Sequence, residues 1–493
     1  TLLVATAKVI GHSVLGLQFD GPEATASALM SGTLFSAAGI SGAIESDFFD
    51  WVTEVPGGEQ FVMNLAHRLS RFNWRQVDHD VLKQIYESVI KKTTRHQLGE
   101  YYTPDWLAEA IIADRVESPL QQRVLDPSCG SGTFLFHAIR SYLKAADKED
   151  MTAAEAIRGL TRHVIGIDVH PVAVTLARVT YLMAIGTHRL QGHRQEFTVP
   201  VSLGDSMRWG YDAGHDIDLL TFDYQGLAVS TRLDPESFVT GSAAPSQPEF
   251  DTQLNFPDRV AVDADRFDQL VSTLATLATS RERGTPYPRL GEIFETFDVH
   301  MRDQPILKQT FERMCKLHDD EEDHIWGYYV RNLARPAWLA RPANQVDTLV
   351  GNPPWLSYRH MTRRQQGSFK RMCEERGLWS GGGAAPNQDL SGLFVARCIE
   401  RYLQPEGRFG FVMPRAVLPR PGQDARRPHS GFRKGTYPIK SGGTVKVAFT
   451  RTWDLKDIRP SFFPLKACVV LGRRQQANGM AVPLPGRAKS WAG

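Results

Sequence analysis

The stretch that most limits how this chain can fold is Val346-Asp347-Thr348-Leu349-Val350-Gly351-Asn352-Pro353-Pro354-Trp355. An apolar run halted by a polar residue and two prolines reads as a buried parallel strand that stops at the carboxyl edge of its sheet. Both prolines fix φ and lack N–H groups, so the carbonyls of Asn352 and Pro353 are not consumed by a continuing helix or ladder. In open α/β sheets that edge is where ligands bind.

Such a corner suits an exocyclic amine. The amino nitrogen of adenine is a poor nucleophile because its lone pair is delocalised into the ring. Two aligned acceptors, the Asn352 side-chain oxygen and the Pro353 carbonyl, favour a pyramidal amine whose lone pair faces an electrophile. Trp355 adds a flat apolar face on which a base taken out of its duplex can stack, a contact of roughly 1–3 kcal/mol. Taken alone, the tetrapeptide is equally a strand running into a Pro-Pro turn with a packed Trp.

Three upstream segments shift that balance. Val124-Leu125-Asp126-Pro127-Ser128-Cys129-Gly130-Ser131-Gly132-Thr133-Phe134-Leu135 is a short apolar strand, an acid, a glycine turn and a helix start. Gly130 and Gly132 let backbone approach a ligand closely. The spacing is not G-x-G-x-x-G and no Walker lysine follows, so phosphate cradling is not expected; Asp126 suits a cationic or amino group. Val164-Ile165-Gly166-Ile167 ends in Asp168, placed for ribose hydroxyls. A third run, residues 199–204, ends in Asp205, which could accept from an adenine amine. A single strand-end aspartate is more often a cap, but three in succession before Asn-Pro-Pro-Trp outline a nucleoside-sized cleft.

His96-Gln97-Leu98-Gly99-Glu100-Tyr101-Tyr102-Thr103-Pro104, then the Asp126–Gly132 turn, then Gly166-Ile167-Asp168, then Asn352-Pro353-Pro354-Trp355 resembles, in content and order, the γ-class N6-adenine DNA methyltransferases. That group includes type I modification subunits, type IIG enzymes and phage-defence methylases such as those of DISARM or BREX. The resemblance covers residues 91 to about 210 and about 345 to 472. It implies an α/β fold with a doubly wound, mostly parallel seven-stranded class I methyltransferase sheet. It also implies S-adenosyl-L-methionine as cofactor: Tyr102 and Thr103 at its methionine end, Asp126, Ser128, Gly130, Gly132, Thr133 and Phe134 wrapped around it, Asp168 on its ribose and Asp205 on its adenine. Asn352, beside the cofactor, would join Pro353, Pro354 and Trp355 in holding an adenine flipped from double-stranded DNA. Enzymes that methylate an RNA base or a protein glutamine share the Asn-Pro-Pro-aromatic corner, and a catalytically silent DNA-binding assembly subunit could keep the same fold.

With 493 residues, 42% hydrophobic and 23% charged, the chain is long enough for several domains of ordinary globular composition. No apolar stretch approaches membrane-spanning length and no secretory signal is visible, which leads us to expect a cytoplasmic protein with no membrane partner. Five cysteines without a CxxC fit a reducing compartment. No metal site is expected: His137 and His170 lack ligand spacing, and His318-Asp319-Asp320-Glu321-Glu322-Asp323-His324 reads as a solvated helix face. The start on Thr1 suggests a fragment of a larger protein, and a specificity or defence-complex subunit is expected as a further partner.

The expected organisation is a helical module over residues 1–90, with a helix within residues 72–90, a catalytic domain over 91–211 and 341–475, an inserted acidic and helical segment over 212–340, and a tail over 476–493. Residues 212–270 hold twelve acids against three basic residues, which suits a lid or partner surface better than a face for phosphate. The sign then inverts. Residues 359–376 carry six Arg or Lys against two acids and residues 401–440 carry nine against two, a local excess suited to nucleic acid. Residues 377–386 read as a mobile glycine-rich loop, residues 408–414 as a strand, and residues 445–449 and 467–471 as a closing antiparallel edge. Asp454-Leu455-Lys456, the nearest approach to a nuclease pattern, reads as an exposed turn.

Overall fold

The computed structural model describes residues 1–17, 19, 21–72, 74, 82, 103–192, 195–207, 220–223, 226–230, 253–261, 263–320, 326–419, 427–439, 442–458, 462–463, 465–485 and 489–490. They form two compact units: Thr1–Val201 with Pro342–Gly493, and Ser202–Arg341.

The described strands, in chain order, are β1 (Ile40–Ser41), β2 (Val124–Asp126), β3 (Val164–Asp168), β4 (Phe197–Thr198), β5 (Val201–Leu203), β6 (Leu220–Asp223), β7 (Gly226–Ser230), β8 (Gln253–Pro257), β9 (Val346–Gly351), β10 (Leu403–Pro414), β11 (Thr436–Pro438), β12 (Thr444–Asp454), β13 (Ala467–Arg474) and β14 (Lys489–Ser490). The main sheet runs β11-β12-β13-β10-β9-β2-β3-β5, with β14 paired to β12. Among the described residues this sheet therefore has nine strands, where seven were expected. Strands β3, β2, β9 and β10 are mutually parallel, whereas β10, β13 and β12 form the expected antiparallel edge.

The order fixes where chemistry can occur. From β2 the chain steps outward to β3, then returns to β9 on the other flank of β2, with Leu125 opposite Ile165 on one side and Leu349 on the other. Winding reverses between β2 and β9, and the crevice above such a reversal is where doubly wound sheets bind ligands.

Local sequence explains the helices around that crevice. In Thr133–Lys148 the buried Leu135, Ala138, Ile139, Tyr142, Leu143 and Ala146 recur at three- and four-residue spacing. Ala153–His163 opens with a capping box in which the Thr152 hydroxyl accepts from Glu155 N–H and the Glu155 carboxylate accepts from Thr152 N–H. Pro171 occupies the first turn of Pro171–Ile185, where its missing N–H has no partner to lose. Helix Asp105–Arg115 lies against β10 so closely that a Cβ on Gly410 would come 2.9 Å from Ile111.

The amino-terminal helices, expected as a module of their own, belong to the first unit. Helix Leu2–Leu15 packs against Pro171–Ile185, with Gly11 against Val179, and β1 pairs with β4. Lys8, fully buried on this helix, is neutralised by Asp47 at 3.1 Å and Asp50 at 2.7 Å. The helix expected within residues 72–90 lies almost entirely outside the described residues.

The second unit has its own sheet, β6-β7-β8, and a core formed by Leu254, Phe256, Phe267, Leu270, Phe311 and Met314 among others. Its longer described helices are Ala264–Thr279, Gln304–Asp319 and Trp326–Leu339. No described helix is long and apolar enough to cross a membrane, and all five cysteines are buried free thiols.

Candidate functional site

Three strand-end aspartates share one local device. Oδ1 of Asp126 accepts from Ser128 N–H at 3.0 Å, Oδ1 of Asp168 from His170 N–H at 2.8 Å, and Oδ1 of Asp205 from Met207 N–H at 2.9 Å. Each is an Asx turn, at the last residue of β2 and of β3 and two residues beyond the end of β5. For Asp126, capping and ligand binding do not compete, because Oδ1 caps and Oδ2 makes no hydrogen bond among the described residues.

The second oxygen of Asp168 accepts from Gly130 N–H at 2.9 Å, tying the end of β3 to the glycine turn after β2. Gly130 has φ +54°, and a Cβ there would meet nothing within 4 Å, so this backbone faces open space. At Gly132, with φ +98°, a Cβ would come 3.2 Å from Ala177 Cα; glycine is required there for conformation and for helix packing. Cys129 fills the space beneath, its sulfur 3.2 Å from where a Gly166 Cβ would stand.

Asp126 is 1% exposed, and its Oδ2 makes no hydrogen bond among the described residues. Burial pushes its carboxyl well above the usual range, the Ser128 N–H opposes this and the Asp168 charge adds to it. A buried acceptor in this state gains from any donor brought to it. Burial also raises the Asp168 carboxyl, against the backbone N–H groups of His170 and Gly130.

The crevice is bridged at the strand reversal. Ser128 Oγ donates to the Asn352 carbonyl at 3.3 Å, and Gly351 runs so close to β2 that a Cβ there would lie 2.6 Å from Asp126 Oδ1. The glycine turn and the Asn-Pro-Pro-Trp corner, more than 200 residues apart in sequence, thus form one edge. Trp355 is 3% exposed, its ring 5.5 Å from that of Phe463 at an interplanar angle of 32°.

Sequence reasoning did not single out Phe463, which sits between β12 and β13. At the facing ends of those strands, Arg415 Nε donates to both oxygens of Asp454 at 2.8 and 2.9 Å and the Arg415 backbone N–H donates to the Lys466 carbonyl. Asp454 is therefore a buried strand-end anchor rather than part of an exposed turn.

Of the other expected site residues, Thr103 is buried just before helix Asp105–Arg115, whose Asp105 contacts His137 Nε2 at 3.3 Å. Thr133 and Phe134 are buried in the first turn of the helix after the glycines. Pro353 is buried and Pro354 half-buried. Asp205 lies in the second unit, and Tyr102 lies outside the described residues. In the acidic cluster, His318 Nε2 meets the Arg281 carbonyl at 3.0 Å and Asp319 pairs with Arg281; no metal-binding group occurs among the described residues.

The basic runs are only partly surface. Arg376 is buried on Glu400 at 2.8 Å, Arg415 is held by Asp454, and Arg433 is buried with its guanidinium on the Val417 and Pro428 carbonyls. Arg359, Arg363, Lys370 and Lys434 are exposed. The glycine-rich stretch, expected as a mobile loop, closes into the 3-10 turn Gly382–Asn387, and the Gln388 amide donates to the Leu378 carbonyl at 2.9 Å.

Residues 77–197 match the N-6 DNA Methylase family, and residues 162–432, more than half of the chain, match the Eco57I restriction-modification methylase family. The adenine-specific methyltransferase PglX of Streptomyces coelicolor is 26% identical over 140 residues, 26% of this chain and 11% of PglX. The type I restriction enzyme MjaVIII methylase subunit of Methanocaldococcus jannaschii is 30% identical over 115 residues, 22% of this chain and 20% of that subunit. The matches thus span a fifth or less of these relatives. Among solved structures, the ATP-dependent type ISP restriction-modification enzyme LlaBIII bound to DNA aligns with a TM-score of 0.47 at 12% identity, over 98% of this chain and 25% of that one.

Proposed function

The chain belongs to the Eco57I restriction-modification methylase family, and on that premise we propose that it methylates N6 of adenine in double-stranded DNA, using S-adenosyl-L-methionine. The observation that carries this reading is the bridged crevice: the Ser128–Asn352 contact at 3.3 Å, with the buried, hydrogen-bond-poor Asp126 Oδ2 beneath it.

The residues fit the cofactor. The open backbone at Gly130 admits a ligand, Asp168 is fixed by two backbone N–H groups where ribose hydroxyls would lie, and Asp126 Oδ2 offers an acceptor to an ammonium group. Thr103 and Tyr102 would contact the methionine end, and Ser128, Gly132, Thr133 and Phe134 would complete the turn around it. The bound cofactor supplies an activated methyl group on a sulfonium.

The chain's own residues would do the rest. Exposed Arg359, Arg363, Lys370 and Lys434 would meet phosphates. An adenine leaving its stack, at a cost of a few kcal/mol, would place N6 against the Asn352 side-chain oxygen and the Pro353 carbonyl, both of which accept from its N–H groups. Trp355 would stack on the base; inserting a ring between Trp355 and Phe463 takes their 5.5 Å separation to about 7 Å, two layers of ~3.5 Å. Alignment of amine and methyl then lowers the barrier, by up to ~7–11 kcal/mol when fully realised. A restriction or phage-defence setting, with a specificity subunit choosing the sequence, suits this reading.

The test is transfer of tritiated methyl from S-adenosylmethionine to unmethylated genomic DNA, followed by nucleoside separation. Label in N6-methyladenosine supports the reading. Label that appears only on RNA or on protein glutamine, or confirmed cofactor binding without transfer to any DNA, refutes it.

A further inference from the structure

Beyond the motifs that hold cofactor and base, a buried acid–imidazole pair stands behind the catalytic corner. Asp389 repeats the strand-end device: Oδ1 accepts from Ser391 N–H at 2.9 Å and from its hydroxyl. Its Oδ2 meets His429 Nε2 at 3.0 Å. Both residues are buried, and the proposed chemistry uses neither. The segment around Asp389 is zipped to the backbone that leaves Trp355: Leu390 N–H donates to the Leu356 carbonyl at 2.9 Å and Tyr358 N–H to the Gln388 carbonyl at 2.8 Å, with Ser357 bridging Asp389 itself.

His429 arrives from the connection between β10 and β11 in a left-handed backbone conformation, φ +66°. That is uncommon for a non-glycine residue and persists only where surroundings enforce it. Gly392 makes room for the ring, since a Cβ there would lie 2.8 Å from His429 Nδ1. Arg433, buried one turn on, donates to the Pro428 carbonyl at 2.9 Å, fixing the backbone that enters His429. Burial would raise the Asp389 carboxyl, yet the His429 charge and the hydrogen bonds from His429 and Ser391 bring it below the usual range. Three chain segments therefore meet at one internal contact, one of them continuous with Asn352–Trp355.

We infer that Asp389 and His429 are a positioning pair that holds the segment leaving Asn352–Trp355 in its reactive place. The pair touches neither cofactor nor base. It acts through Leu356–Tyr358, and its effect on turnover rests on the reading of Asn352–Trp355 as the base-holding corner.

The test compares His429→Leu, which cannot donate to Asp389, with His429→Gln, whose amide can. Both are made in protein labelled with 5-fluorotryptophan; of the ten Trp resonances, that of Trp355 is assigned from a Trp355→Phe spectrum. In His429→Leu the Trp355 resonance is expected to shift or broaden, and kcat on genomic DNA to fall at least thirtyfold. Cofactor Kd and KM for DNA should stay within twofold, and His429→Gln should keep kcat within about threefold. A folded His429→Leu with an unmoved Trp355 resonance and wild-type kcat overturns the inference, as does a change confined to Kd or KM. If His429→Leu does not fold, Gly392→Ala, which crowds the ring and leaves the pair's chemistry intact, decides by the same measurements. Should the wild-type protein methylate no DNA, the function proposal fails separately, because the fluorine comparison needs neither DNA nor turnover.

Discussion

Replacing Gly351 with alanine strikes the point where the two halves of the crevice meet. Gly351 has φ +153°, and its added Cβ would lie 2.6 Å from Asp126 Oδ1 and 3.5 Å from Phe411 Cε1. The first distance is some 0.7 Å short of a normal carbon–oxygen approach of ~3.3 Å. Two costs follow: about 1–3 kcal/mol for a side chain in a backbone region suited to glycine, and about 1–3 kcal/mol for overpacking against a well-ordered neighbour. The expected loss, about 2–6 kcal/mol, is a large part of the about 5–15 kcal/mol that typically stabilises a fold. Because the clash falls on the carboxylate proposed to meet the cofactor, S-adenosylmethionine Kd should rise at least about tenfold, the equivalent of ~1.4 kcal/mol. Urea unfolding followed by circular dichroism and titration calorimetry measure the two effects. Gly130→Ala is the control, because φ there is also positive, +54°, but a Cβ meets nothing within 4 Å. Equal destabilisation of the two variants would refute the close approach of β9 to Asp126.

Asn352→Ala should bind cofactor within about twofold of wild type and lose at least about a hundredfold in methyl transfer, the range seen when a group that stabilises a transition state is removed; near-wild-type turnover removes Asn352 from the chemistry. Asp168→Ala should weaken cofactor binding directly, and an unchanged calorimetric Kd would take Asp168 out of the pocket. The amino-terminal helix should make stability pH-dependent. Burial lowers the His12 pKa to about 4, against the Lys8 carbonyl hydrogen bond and aided by the Lys8 charge. The unfolded chain therefore binds this proton first, and stability present above about pH 6.5 is lost as pH falls towards 4. Between pH 7.5 and 5 the loss should be about 2 kcal/mol, at ~1.36 kcal/mol per unit; a His12→Leu variant with the same slope would refute this origin.

What could be read from sequence was whatever depends on neighbours along the chain. Asp126 and Asp168 end their strands, and Asp205 turns the chain just beyond β5, because an aspartate accepts the N–H two residues on, and the glycines at 130 and 132 mark positive φ within the same turn. The antiparallel edge of β12 and β13 was legible from two apolar runs in a tail without helical spacing. Contacts between distant segments were not legible. No periodicity ties Phe463 to Trp355 or His429 to Asp389, because those pairings depend on how strands order across the sheet. Charge counting erred for the same reason. Arg376, Arg415 and Arg433 raise a linear tally of cations, yet each is committed to an internal acceptor that only the folded chain reveals.

The pairing of β2 with β9 also sets a timetable. Asp126 leaves the ribosome about 220 residues before Val346, an interval of roughly 10–45 s at about 5–20 residues per second. During that time β2 has an edge of unpaired backbone N–H and C=O groups awaiting its partner, while an entire second unit is synthesised in between. The nascent amino-terminal half must therefore tolerate an unpaired strand edge, the kind of surface that recruits other chains. Ribosome pausing or truncation within residues 202–341 would release a half-sheet with its glycine turn built and its catalytic corner missing, so degradation or aggregation should concentrate on products ending there.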